Sequence, residues 1–253
     1  MSRALGIAVG VWCAVALAAS PALAFRPSVT WVCAKVVDKA NARGTSALKV
    51  DATTSAWDPS GKVVVDGVAE RMWLQAPGKL RRELDAAGGT TVEVRVDGRL
   101  AVKAPAKLDS NTKSGTEVLA ELMTAAKDQD PGVTAQRLVA TIKALGINPE
   151  VVSYARFDGR VAYLVGSKPW ETDKPQIWFD KDLMVPLRLV TFVKDGGSSI
   201  RLDVRYLGWG SAVGGAWYPQ AVEVWRGETL LRRSVTEALE RNAAIDAQLF
   251  ELR

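Results

Sequence analysis

Residues able to perform covalent or acid–base chemistry are scarce in this chain of 253 residues, which has no His and two Cys, Cys13 and Cys33. Without an imidazole there is no Ser-His-Asp triad, no Cys-His dyad and no His-ligated metal. Two thiols cannot build a four-thiolate zinc or iron–sulfur site. Asp128 with Asp130, and Asp180 with Asp182, have a spacing that metal or acid/base pairs use, but both lie in turn-like sequence, where exposed carboxylates are routine. Gly208-Trp209-Gly210-Ser211 is not a phosphate loop, since no Gly-Lys-Ser/Thr follows and no helix begins there. Arg81-Arg82 and Arg232-Arg233 are basic doublets on expected strands, and one member of each is expected to face solvent. They could steer an anionic lipid or a partner, but they form no basic stripe interleaved with aromatics of the kind that binds nucleic acid. No nucleophile sits beside a base. The expectation is a protein that is not an enzyme, with no cofactor, no metal and no nucleic-acid partner.

The elements that would position any site follow from composition and pattern. The hydrophobic share is 48% and the charged share 24%, the composition of a folded globule and not of a disordered chain. Lys and Arg exceed Asp and Glu by 33 to 28, too mild an excess to specify a partner. Residues 1–24 read as a secretory signal peptide: Arg3, an uncharged run from Ala4 to Ala19, then Ala22-Leu23-Ala24 before the expected cleavage. Gly10-Val11-Trp12 before Cys13 is not a lipobox. The mature chain from Phe25 then keeps Cys33 alone, which reads as a small buried apolar residue.

Pro27 to Ala42 reads as a helix, with Val29, Val32, Cys33, Val36, Val37 and Ala40 on one stripe and Gly44 as its stop. Strands are expected at 46–57 and 62–74, across the Asp58-Pro59-Ser60-Gly61 turn, at 79–85, and around Val92, Val94 and Val96. Asp97-Gly98 turns that strand toward Leu100 and Val102. Residues 104–149 change character. A capping box at Ser114-Gly115-Thr116-Glu117 opens a stripe of Val118, Leu119, Leu122, Met123 and Ala126. Pro131-Gly132 breaks it, and a second helix runs from Val133 to Leu145 with Leu138, Ile142 and Leu145 on one side. Strands resume to the end, with turns at Asp158-Gly159 and Asp195-Gly196-Gly197 and the clearest alternation at Ile200, Leu202, Val204 and Tyr206. The count is about eleven strands, antiparallel because their connections are short. Residues 25–253 are expected to form one unit.

Three stretches resemble the LolA-like outer-membrane lipoprotein-sorting proteins. They are Met72-Trp73-Leu74-Gln75-Ala76-Pro77-Gly78-Lys79-Leu80-Arg81-Arg82-Glu83, then Ile177-Trp178-Phe179-Asp180 with Pro186-Leu187-Arg188-Leu189, and last Trp217-Tyr218-Pro219 with 242–250, taken as a late strand and a closing signature. The resemblance implies an α+β fold: a strongly curved antiparallel sheet, an incomplete β-barrel, with an N-terminal helix and an inserted pair of lid helices. It implies a periplasmic carrier of lipoprotein acyl chains or another lipid, monomeric, passing cargo from an inner-membrane transporter to an outer-membrane acceptor. One departure stands out. The family has a basic residue before the signature Pro, and here that residue is Ala76. This keeps open a second reading, a regulatory or scaffolding protein that binds a protein or mislocalised lipoprotein with the same fold.

The expected lipid contacts on the sheet are Trp73, Leu74, Val92, Val94, Trp178, Leu187, Leu189, Ile200, Leu202, Val204 and Tyr206. On the insert they are Val118, Leu122, Leu138 and Ile142. Alternation does not say which sheet face is concave. Trp73, Trp178 and Trp225 sit in expected strands and could line a cavity, but for any one Trp core packing is the better reading.

Overall fold

The computed structural model describes residues 27–96, 99–103, 130–195 and 197–251. Helix α1 (Val29–Arg43) starts at Ser28, whose Oγ accepts from the Trp31 amide at 3.2 Å, and ends at Gly44 in the left-handed region, φ 64°. Its buried residues are Val29, Val32, Cys33, Val36, Val37 and Ala40, the stripe that the helical period marks. Five strands follow: β1 (Ala47–Trp57), β2 (Val63–Gln75), β3 (Lys79–Ala86), β4 (Gly89–Val96) and β5 (Arg99–Lys103). Helix α2 (Pro131–Ala144) begins where a break between helices was expected. Pro131 takes the first turn, where its missing N–H costs nothing, and Asp130 caps it by accepting from the Gly132 amide at 2.6 Å. Ala135, Leu138 and Ile142 form its buried side.

The second run of strands is β6 (Val152–Phe157), β7 (Arg160–Val165), β8 (Gln176–Asp180), β9 (Pro186–Asp195), β10 (Ser198–Leu207), β11 (Ala221–Arg226) and β12 (Thr229–Arg241), closed by a 3-10 turn at Ala247–Phe250. Asp158 and Gly159, at φ 49° and 74°, make the two-residue hairpin that Asp-Gly favours.

All twelve strands form one antiparallel sheet in the order β5-β4-β3-β2-β1-β12-β11-β10-β9-β8-β7-β6, one strand more than the sequence suggests. β1 lies between β2 and β12, so the two meanders join at mid-sheet, and the sheet curves without closing. Bulges in β1 at Asp51/Ala52 and in the β11–β12 pair at Val224/Trp225 increase the local bend. The helices cover one face: Trp31 of α1 meets Tyr163 of β7 at 5.6 Å, and both helices share one core with Leu48, Val50, Met72, Leu74, Leu187, Leu189 and Val204. This is an α+β architecture. No described helix is long and apolar enough to cross a membrane.

One expectation is corrected. Trp217-Tyr218-Pro219 do not form a strand. They lie in the bridged loop between β10 and β11, where Gly214, with no side chain, lies close to the Tyr218 carbonyl. The expectations on residues 1–24, Asp97-Gly98, the capping box at Ser114, Val118, Leu122 and Asp128 lie outside the described residues.

Candidate functional site

Residues directly opposite in an antiparallel pair share a face, so the register assigns each side chain to a side of the sheet. Starting from Leu48 and Val50, the helix-side face runs through Leu74 and Met72 to Leu80, and across β12 to Val224, Val204, Leu189 and Ile177. Of the expected contacts, Leu74, Leu187, Leu189, Ile200, Leu202, Val204 and Tyr206 lie on this face, and Leu138 and Ile142 of α2 are buried in the same structure. Ile200 and Leu202, with Leu231, form a small apolar cluster apart from the main core.

Trp73, Val92, Val94 and Trp178 lie on the opposite face, with Arg81 and Arg188 as their cross-strand partners or neighbours. Trp178 nevertheless belongs to the main buried core, because β8 is buried on both faces, whereas Trp73 and Val92 are only half-buried and Val94 is buried outside that core. Trp178 has the Arg188 guanidinium 5.4 Å above its ring, and Phe157 has the same guanidinium at 5.6 Å. Arg188 in turn grips Asp203 with two bonds of 2.8 and 2.6 Å, and Arg205 stacks on Trp225 at 4.6 Å. Burial alone would raise the Asp203 pKa. The Arg188 bonds, with the charges of Arg205 and Arg201, outweigh it and hold the carboxyl below its ordinary value. On β3 and β4 the same outer face is covered by the C-terminal segment: Arg81 Nη1 donates to the Leu249 carbonyl at 2.8 Å, and Lys79 lies 5.7 Å over Phe250.

The helix-side wall also holds a group that the sequence reading placed on the surface or passed over. Glu70, Arg82, Arg232, Thr54 and Ser234 share this face and are all buried, with Arg82 and Glu70 each 1% exposed. Glu70 is fully engaged. Its Oε1 accepts from Arg232 Nη2, and its Oε2 accepts from the hydroxyls of Thr54 and Ser234. Arg82 is less well served. Its Nε is 3.6 Å from Glu70, its Nη2 is 3.1 Å from Glu93 Oε1 without hydrogen-bond geometry, and Nη1 has no hydrogen-bond partner. Arg81 and Arg233 are the outward members of the two doublets; Arg82 and Arg232 point inward. The signal was present in the alternation. Glu70-Met72-Leu74 and Leu80-Arg82-Leu84 each place one charge at the parity of the core.

The remaining candidates have structural duties. Asp180 Oδ1 accepts from the amides of Asp182 and Leu183, at 2.8 and 2.7 Å, and so shapes the β8–β9 turn. Trp209 donates from Nε1 to the Pro186 carbonyl at 2.8 Å. Cys33 is fully buried, and loss of hydration pushes its thiol up to about 12, so it is no nucleophile in the folded state. Tyr218, also buried, is pushed well above the ordinary phenol range and keeps its proton; its hydroxyl lies 3.5 Å from Met72 Sδ. Among the described residues no group of His, Cys, Asp and Glu side chains is placed to hold a metal ion.

Two concavities open on other parts of the surface. One, of about 500 Å³, lies between Arg81, Val92 and Lys103 and the C-terminal segment from Asp246 to Glu251. The other, of about 820 Å³, runs beside edge strand β6 past Tyr154, Lys168 and Trp170. Trp170 is 74% exposed there.

An open, curved antiparallel sheet with helices laid in its trough can be set against known structures. A LolA superfamily protein from Nitrosomonas europaea superposes over 90% of this chain and 99% of its own, with a TM-score of 0.51 at 10% identity. The fold is LolA-like. A DUF1329 family protein from Desulfovibrio piger aligns over 89% of this chain and 98% of its own, with a TM-score of 0.44 at 13% identity. No protein-family model matches the sequence. No curated protein sequence matches it either. The LolA-like architecture is thus carried by shape: the trough, its helices and the two meanders that meet at β1 and β12.

Proposed function

We propose that this protein is an exported carrier that shelters an acyl chain, of a lipoprotein or another lipid, in the trough under α1 and α2. The observation that carries this reading is the nature of the helix–sheet contact. Both helices meet the wall through aliphatic side chains, Val32, Cys33, Val36, Leu138 and Ile142, all buried. Among the described residues no ladder of backbone hydrogen bonds ties them to the sheet, and a directed link such as Arg43 Nη1 to the Leu183 carbonyl, at 3.0 Å, lies at the helix end. Such a contact is exchangeable. An alkyl tail burying the same wall replaces what the helices supply. Each methylene sheltered from water is worth about 0.8 kcal/mol, so a chain of ~16 carbons needs on the order of 10 kcal/mol of cover.

In this reading residues 1–24 are removed on export, and residues 25–253 act as one monomeric unit in the periplasm, between an inner-membrane donor and an outer-membrane acceptor. The chain carries out no catalytic step. A second reading has one observation in its favour. At Ala76, where the resembling family has a basic residue, the methyl side chain cannot latch a lid, and the backbone N–H is spent on the Ser46 carbonyl. A regulator that binds a protein or a mislocalised lipoprotein has no need of such a latch.

Cys33 reports on the trough from within. In the exported chain from Phe25, a thiol reagent at pH 8 is expected to leave folded protein untouched. Labelling is expected to accelerate at least tenfold when a long-chain acyl probe binds and α1 lifts. A labelling rate that stays flat at saturating probe, or failure of any acyl probe to bind, overturns the carrier reading. Native mass spectrometry of protein taken from its own envelope separates the two readings: a co-purifying lipid supports carriage, while a stable protein partner on an empty trough supports regulation.

A further inference from the structure

We infer that Arg82, with Arg232 and the Thr54 and Ser234 hydroxyls around Glu70, forms a polar seat on the trough wall for the oxyanion at the head of an alkyl chain. The inference deepens the carrier reading and rests on it. Four facts converge. Arg82 lies on β3 between Leu80 and Leu84, on the face that carries the apolar wall, and is 1% exposed. A guanidinium out of water needs its donors satisfied, because an unmet charged donor costs more than a neutral one. Glu70, its nearest carboxylate on β2, is saturated by Arg232 and the two hydroxyls and reaches Arg82 only at 3.6 Å. Glu93, at the rim of the group, leaves Nη1 without a partner and meets Nη2 poorly. The result is a buried fork of N–H donors held in place by a fully used carboxylate.

The seat lies between two apolar regions of one face. Met72, Leu74 and Leu80 belong to the main core toward α1, and Ile200, Leu202 and Leu231 form the smaller cluster. An amphiphile lying along this wall has aliphatic surface for its tail and, at Arg82, donors for its head. Guanidinium suits the task, since its planar fork matches a carboxylate or phosphate with paired hydrogen bonds. A plain hydrocarbon leaves those donors as they are, and an alcohol offers them one neutral acceptor where an oxyanion offers a charged pair. The seat thus selects oxyanion-headed chains, and carboxylate and phosphate heads share the chemistry.

Competition against a fluorescent long-chain probe tests this on the full chain. Dodecanoate, dodecyl phosphate and dodecanol present one tail with three heads. The expected result is at least tenfold tighter binding of dodecanoate or dodecyl phosphate than of dodecanol, and the tighter of the two anions names the head. Arg82→Gln is expected to bring the ratio of anion to dodecanol affinity to within twofold, and Arg82→Lys to restore part of it. Equal affinities for the three heads in the unmodified protein overturn the seat and leave the acyl trough standing. So does a preference that survives Arg82→Gln. Binding of none of the three overturns the carrier reading and the seat with it. Should Arg82→Gln fail to fold, as circular dichroism would show, the three-head comparison on the unmodified protein decides alone.

Discussion

Toward α1, the trough wall is built from Leu48, Val50, Met72 and Leu74, which share a core with Val32, Cys33 and Val36. One alternation step along β2 and β3, and two along β1, the same face presents Thr54, Glu70 and Arg82. The first region is held by contacts without direction, whose loss is graded by the area removed. The second is held by a carboxylate and two guanidinium groups in fixed geometry, where the loss of one partner strands the others. One face of one sheet thus has a part that can exchange partners and a part that cannot. In the proposed carrier the lid lies over the first and the seat on the second.

The contrast can be broken at its rigid end first. Glu70→Ala leaves Arg82 and Arg232 buried without their central carboxylate, and a loss of about 3–5 kcal/mol in urea unfolding is expected. A loss under ~1 kcal/mol would mean that the group is hydrated, and the contrast would go. At the exchangeable end, Ile142→Ala removes a side chain only 1% exposed and is expected to cost about 2–4 kcal/mol. Hydrogen exchange should show that this variant loosens α1 and α2 well before the strands; uniform loosening would mean that helices and sheet are one cooperative unit.

The opposite face sharpens the comparison through pH. Asp203 is held below its ordinary pKa in the folded chain, so its contribution is present above the unfolded carboxyl value and lost as pH falls through the lower folded one. Asp203→Asn should cost on the order of 1.5 kcal/mol at pH 7. It should also flatten the acid side of the stability profile below roughly pH 4. An unchanged acid slope would remove Asp203 from the account. The smallest effect is at the helix cap: Ser28→Ala is expected to lower stability by about 1 kcal/mol and to fray α1 from Val29, and an unchanged melting curve would show that the Ser28–Trp31 bond contributes nothing.

The elements were readable where one period had one explanation. The stripe of α1 came through at all six positions, because a lone amphipathic helix has one face to bury. The β6–β7 hairpin also came through, because Asp158-Gly159 fixes its register. The candidate site was half legible. Alternation gave two faces for every strand, but β8 is buried on both, so Trp178 read as a trough residue although Ile177 is the one on that face. The C-terminal segment hides Val94 in the same way. Bulges at Asp51/Ala52 and Val224/Trp225 break the count of two on which such parity arguments depend. The charged group was missed for the opposite reason. Arg82 and Arg232 each sit beside a second arginine, and a basic doublet reads as surface until the register shows which member turns inward. On α2, Ala135 is buried while Ala140 and Ala144 are exposed.

The two strands at the borders of the sheet, β5 and β6, are neighbours in sequence but stand at opposite ends of the strand order, and α2 lies in the connection between them. A closed barrel has its bore set by strand number and shear. Among the described residues no seam joins β5 to β6, so this circumference has no such fixed value. In the proposed carrier, the girth of a guest would be registered first as a parting of these two rims, β5 from β6.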